Sequence, residues 1–306
     1  IALLCNDTGA VGIAAAIEVL ESGGCALDAI EAGIRPVEAD PAIGSVGLGG
    51  WPNALGQMEL DAGLMNGSTL AVGAVGAVQG VTHAISIARQ VMERLPHVLV
   101  VGDGAARFAA ECGLAPAPAL TETARQEWQA WLHRAVSADD RQCWPDVPLA
   151  PYARWAADPE RTGTTVWMAC DRQGDMAAGA STCGWAYKYP GRLGDSCVPG
   201  AGFYADSRYG AAACTGAGEL TLRAGTSRSI VTYLRLGMDA DAALRAAADD
   251  LRAAMRTFVG GVTLHALTPD GRAAVLSVGL DRPWGYLHWR PGDAAIEAAA
   301  AGLEHW

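Results

Sequence analysis

The chain has 306 residues, of which 51% are hydrophobic and 18% charged, with a formal net charge of -11. That mixture belongs to an ordinary globular protein rather than a disordered one, and the length permits one large compact core or two modest ones. The acidic balance excludes a nucleic-acid partner, which would require clustered Lys and Arg that the chain lacks.

Residues 1–5 read as a short apolar strand, followed by helical patterns over 10–20 and 26–37, each preceded by glycine. Residues 58–78 read as short strands, 82–95 as an amphipathic helix, and 97–101 as a strand running through Gly102-Asp103-Gly104 into another helix. The uncharged stretch 62–88 is interrupted by Asn66, Ser68, Thr69, Gln79 and His83 and by several glycines, so buried strands and turns are expected there rather than a membrane span. From 137 to 161 Asp, Arg, Pro and Trp mix without a period, which predicts a linker or long surface loop. It ends at Thr162-Gly163-Thr164-Thr165, where a β-hairpin is expected to open at Thr164: a strand over 166–170, a turn at 172–175 and a return over 176–181. Helices over 220–236 and 240–258 and strands over 261–267, 273–278 and 285–289 complete the chain. Strands in the middle with helices before and after predict sheets covered by helices on both sides.

Several chemistries find no support. The eight cysteines form no C-x-x-C pair and no zinc spacing with histidine, so no metal is expected. Gly102-x-Gly104 lacks the third glycine of a dinucleotide loop, since Arg107 stands there, and Gly47-Leu48-Gly49-Gly50 is not followed by Lys-Ser/Thr. The six histidines are scattered, with no local support for a Ser-His-Asp arrangement. Free thiols favour a reducing, cytoplasmic location. Position 1 is Ile rather than Met, so a periplasmic or secreted location is the alternative if a trimmed signal peptide preceded it.

The second half carries unusual segments in order: Gly163-Thr164, then 177–182 ending in Ser181-Thr182, Gly191-Arg192-Leu193-Gly194-Asp195-Ser196, Pro199-Gly200-Ala201-Gly202, and Cys214-Thr215-Gly216-Ala217-Gly218-Glu219. Singly, Thr182 could be an ordinary strand threonine, Gly216 a turn, and Arg192 with Asp195 a surface ion pair. Together, and with Gly23-Gly24-Cys25-Ala26-Leu27-Asp28-Ala29, Leu60-Asp61-Ala62 and residues 98–104 in the first half, they make the chain resemble the glycosylasparaginase and isoaspartyl peptidase (type III L-asparaginase) branch of the N-terminal nucleophile hydrolases.

The resemblance implies an α+β fold, a four-layer αββα sandwich of two packed sheets covered by helices. It implies self-cleavage between Gly163 and Thr164, giving an α subunit of residues 1–163, ending in the irregular linker 137–163, and a β subunit of residues 164–306 within one compact domain. By position, Thr164 matches the nucleophile, Thr182 its supporting threonine, Arg192 and Asp195 the residues that hold the substrate's α-carboxylate and α-ammonium, and Thr215 and Gly216 the oxyanion donors, with Gly218 beside them. No cofactor, no nucleic acid and no membrane are implied, and a homodimer of αβ units is. The segment Cys5-Asn6-Asp7 stands where the glycosylasparaginase branch usually places a substrate-contacting Trp, and Gly163 and Asn66 stand where Asp is common.

A threonine hydroxyl needs a base, and here the nearest would be the residue's own α-amine, whose pKa of roughly 7.7–8.0 suits proton transfer near neutrality. That amine exists only once the preceding bond is broken. Glycine at 163 also permits strained backbone that would favour attack on its carbonyl. The expected activity is hydrolysis of N4-substituted asparagine, releasing aspartate through a Thr164 acyl-enzyme. L-asparaginase or β-aspartyl peptidase activity is the alternative, and an uncut binding or assembly protein is the alternative of another class.

Overall fold

The computed structural model describes residues 1–306 except 115, 154–162, 256–259 and 294. The chain opens with β1 (Ala2–Asn6), a 3-10 turn (Asp7–Val11), α1 (Ile13–Glu21) and α2 (Ala26–Ala39), then β2 (Leu60–Asn66), β3 (Val72–Val78), α3 (Ala84–Arg94), β4 (Leu99–Val101) and α4 (Gly102–Glu111). Three further helices, α5 (Glu122–Ala135), α6 (Ala138–Gln142) and α7 (Ala150–Ala153), precede the hairpin β5 (Thr165–Cys170) and β6 (Met176–Thr182). After it come β7 (Phe203–Asp206), β8 (Gly210–Gly216), α8 (Gly218–Ala224), α9 (Thr226–Arg235), α10 (Ala240–Ala254), β9 (Val262–Leu267), β10 (Ala273–Val278), β11 (Gly285–Trp289), β12 (Glu297–Ala300) and β13 (Gly302–Glu304).

Two sheets result, one of eight strands in the order β12-β11-β1-β5-β6-β2-β3-β4 and one of five in the order β13-β10-β9-β8-β7. The larger is covered by α1 to α4, whose apolar faces meet Leu3, Leu64, Val75 and Trp167, all fully buried. The smaller is covered by α8 to α10, packed on Cys214, Leu264 and Ala266. Between the sheets lie Leu4, Val166, Met168, Phe203 and Ala213. This is the four-layer αββα sandwich that the resemblance implies. β5 and β6 are buried at every position because each has a helix layer on one face and the second sheet on the other, so they read as continuous apolar runs rather than alternating ones.

Several expected elements need correction. β5 begins at Thr165, one residue before the strand expected over 166–170 and directly after Thr164, where the hairpin was expected to open. The expected helix over 220–236 is two helices, broken at Gly225, which sits in the left-handed region at φ 60° and ends α8 as a left-handed cap. Strands β7, β8, β12 and β13 were not anticipated, and β8 runs through glycine and alanine that carry no alternation. The stretch expected to be irregular contains α6 and α7; its residues 154–162, including Thr162, lie outside the described part, as do positions 256–258 of the expected helix over 240–258. Among the described residues no helix is long and apolar enough to cross a membrane.

An aromatic cluster joins α5 to the segment after β6. Trp131 stacks on Tyr187 with ring centroids 4.6 Å apart, and Trp144 meets Trp131 edge-on. The packing holds the chain between Thr182 and Arg192 against α5 and the segment between α6 and α7.

Candidate active site

The structure brings the expected residues together. Gly163, Thr164, Thr182, Arg192, Asp195, Gly216 and Gly218 line one cleft, joined by Gly184, Trp185, Gly194 and Ser196. They arrive from the start of β5, the end of β6, the loop between β6 and β7, and the junction of β8 with α8. Thr215 is buried on β8 beside Gly216, and its hydroxyl has no partner among the described residues. The hydroxyl of Ser196 is likewise buried and unpartnered.

At the Gly163–Thr164 bond, the Thr182 hydroxyl donates to the Gly163 carbonyl oxygen at 2.5 Å and itself accepts from the Gly184 N–H at 2.9 Å. The register of β5 and β6 produces this contact: Thr165 faces Ser181, so Thr182 stands next to the residues just before β5. A carbonyl polarised by a hydroxyl that is oriented by a backbone N–H is activated towards attack. On the other side of Thr164, the Asn6 amide donates to the Thr164 carbonyl at 2.7 Å and accepts from the Val166 N–H at 3.0 Å. Asn6 is fully buried, and its side chain continues the β1–β5 ladder past the last backbone pair, Cys5 with Trp167.

Glycine at 163 is required by space, since a Cβ there would stand 2.3 Å from the Cβ and Oγ of Ser45. Gly216 is required by conformation, with φ at 106°, and by the Gly261 carbonyl 2.4 Å from where a Cβ would lie.

The loop between β6 and β7 is tied to the larger sheet by two carboxylates. Glu59 accepts from the Gly191 N–H, and Asp61, opposite Thr182 in the β2–β6 register, accepts from the Gly194 N–H at 3.1 Å. Between these anchors Arg192 lies over the Trp185 ring, 4.7 Å from its centroid, and its Nε and Nη2 both donate to Glu219 Oε1 at 3.0 and 2.7 Å. Asp195 accepts from the Thr221 hydroxyl at 2.7 Å and abuts Gly218, where a Cβ would meet Asp195 Oδ1 at 2.8 Å. Burial pushes the Asp195 carboxyl up to about 6; the Thr221 hydroxyl and the Arg192 charge pull it down, and the Glu219 charge adds to the rise. The cleft thus offers a cation and an anion beside a buried hydroxyl and a polarised peptide carbonyl.

An asparaginase family model matches residues 10–286 of this chain. The chain belongs to the asparaginase family. It is 36% identical over 269 residues to the N(4)-(beta-N-acetylglucosaminyl)-L-asparaginase of Rattus norvegicus, covering 83% of this chain and 78% of that protein. To the isoaspartyl peptidase/L-asparaginase of Rattus norvegicus it is 34% identical over 266 residues, 87% of this chain and 75% of that one. To the plant-type L-asparaginase of Pyrococcus abyssi it is 38% identical over 224 residues, 73% and 71% of the two chains.

The residues of this asparaginase-family chain that sequence reasoning passed over are Asn6, Ser45, Glu59, Trp185, Glu219 and Thr221. Only Asn6 and Glu219 stood inside segments that the sequence singles out, Cys5-Asn6-Asp7 and Cys214-to-Glu219, and neither carried a role of its own there. The others reach the site through tertiary approach.

Proposed function

We propose that this chain is an amidohydrolase that cuts itself between Gly163 and Thr164 and then hydrolyses the side-chain amide of N4-substituted asparagine. The observation that carries the reading is the Thr182 hydroxyl on the Gly163 carbonyl, in the same cleft as Arg192 and Asp195. In self-cleavage the Thr164 hydroxyl attacks the Gly163 carbonyl carbon, the acyl group moves from nitrogen to oxygen, and water cleaves the ester. The products are the carboxylate of Gly163 and the free amine of Thr164, which divide the chain into residues 1–163 and 164–306.

In turnover Thr164 attacks the side-chain amide carbon and its proton passes to its own amine. Thr215 and the Gly216 N–H receive the oxyanion, and the protonated amine of Thr164 returns the proton to the leaving nitrogen. Water then hydrolyses the Thr164 ester and releases aspartate. Arg192 and Asp195 hold the α-carboxylate and α-ammonium, so the head group is read by paired opposite charges. A homodimer of αβ units is the assembly expected, checked by light scattering.

A second reading, L-asparaginase or β-aspartyl peptidase activity, is supported by the comparable identity to relatives with those names. Denaturing electrophoresis and N-terminal sequencing test the common core: two fragments, the second beginning Thr-Thr-Val-Trp, are expected, and a single full-length band rejects it. Rates with glycosylated asparagine, asparagine and an isoaspartyl dipeptide at equal concentration then separate the two readings.

A further inference from the structure

Arg192 does not present its whole guanidinium to the cleft. The edge formed by Nε and Nη2 is taken by a single oxygen of Glu219, and one face lies on Trp185. What remains is the end carrying Nη1, which lies between Gly184 and Gly194: a Cβ on either glycine would stand 3.2 or 3.1 Å from Nη1. Glu219 and Trp185 therefore restrain one side chain from two sides, and among the described contacts the Nη1 end carries no hydrogen bond. Glu219 comes from a different element, the first turn of α8, and its other oxygen, Oε2, is buried with no partner among the described residues. The carboxylate is thus committed to Arg192 and not shared with a second cation.

From this geometry we infer that Glu219 is a positioning residue that aims the Nη1 end of Arg192 at the substrate and so sets the preference for substrates carrying an α-carboxylate. The inference rests on the reading that Arg192 receives that carboxylate. A free arginine side chain samples many rotamers, and fixing them in advance lowers the entropic cost of binding. Glu219 also carries a negative charge, which opposes a carboxylate ligand. It sits on the far edge of the guanidinium, however, so the interposed cation screens it and the aiming effect dominates. Glycine at 218 keeps α8 close enough to Asp195 for its next residue, Glu219, to reach across.

The test uses the self-cleaved enzyme and two chromogenic substrates, L-aspartic acid β-(p-nitroanilide) and β-alanine p-nitroanilide. They share the scissile amide and the amine and differ only in the α-carboxylate. Glu219→Ala is expected to raise KM for the aspartyl substrate roughly ten- to thirtyfold, with kcat and self-cleavage within about twofold of wild type and KM for the β-alanine substrate nearly unchanged. Glu219→Gln keeps an acceptor oxygen without the charge, so its KM is expected to stay within about threefold of wild type; it also carries the test if the alanine variant does not fold. Equal losses on both substrates, an uncut chain in the glutamine variant, or a KM that falls when the charge is removed would overturn the inference. A wild type that hydrolyses the two substrates equally well is a different result: it rejects the head-group reading of Arg192, and this inference with it.

Discussion

Thr182 and Asp195 show how single side chains set the chemistry of the cleft. Because the Thr182 hydroxyl is the side-chain donor on the Gly163 carbonyl among the described contacts, Thr182→Val should slow self-cleavage by about two to three powers of ten. The chain should stay folded, since the two side chains are alike in shape. A time course of fragment appearance on denaturing gels measures it, and processing at the wild-type rate would remove Thr182 from the cleavage step. Asp195, raised to about 6 mainly by burial, is neutral below that pH and then offers no charge to an ammonium. Arg192, Glu219 and the Thr221 hydroxyl are the groups around it, and the ammonium of aspartate itself stays protonated throughout. Inhibition by L-aspartate should therefore be roughly eightfold weaker at pH 5 than at pH 6.5; a flat profile would show that Asp195 does not contact the ammonium. The residues proposed to touch the scissile bond and the head group were legible in the sequence because they lie in contiguous, ordered motifs. Ser45, Glu59 and Asn6 were not, because each acts from a remote segment whose approach depends on the folded register.

At the scale of elements, the hairpin of β5 and β6 was readable from its apolar runs and the Arg172-to-Asp175 turn, and α2 and α3 from helical periodicity. β8 was not, since Ala211, Ala212 and Ala213 are compatible with helix or strand until sheet neighbours decide. The division between α8 and α9 was hidden for another reason: helical spacing continues across it, and only the left-handed conformation of Gly225 redirects the chain. A Cβ at Gly225 would meet open space, so Gly225→Ala should cost only the conformational penalty, about 1 kcal/mol. Gly225→Asn should cost less, because Asn tolerates that region better. Denaturant unfolding in an uncut Thr164→Ala background measures both; no difference between Ala and Gly would mean that the helix pair does not depend on this turn.

The whole molecule is organised so that the proposed cut falls inside shared structure. In the larger sheet, β1 from the first half is hydrogen-bonded between β11 and β5 from the second, and β6 from the second is bonded to β2 from the first. The fragments 1–163 and 164–306 should therefore elute together on native size exclusion and separate only when denatured. Fragments that part under native conditions would contradict the strand order.

That interleaving gives the protein a history. Neither fragment contains the whole of the larger sheet, so that sheet is expected to assemble while the chain is continuous, with the proposed cut only afterwards. The proposed cut would remove the connection that makes assembly a unimolecular event, and two separate polypeptides would have to find each other and interlace strand by strand to restore it. Intact precursor should regain its structure on cooling after heat, whereas the cleaved form should not. The mature molecule would then persist by the height of its unfolding barrier rather than by any ability to fold again.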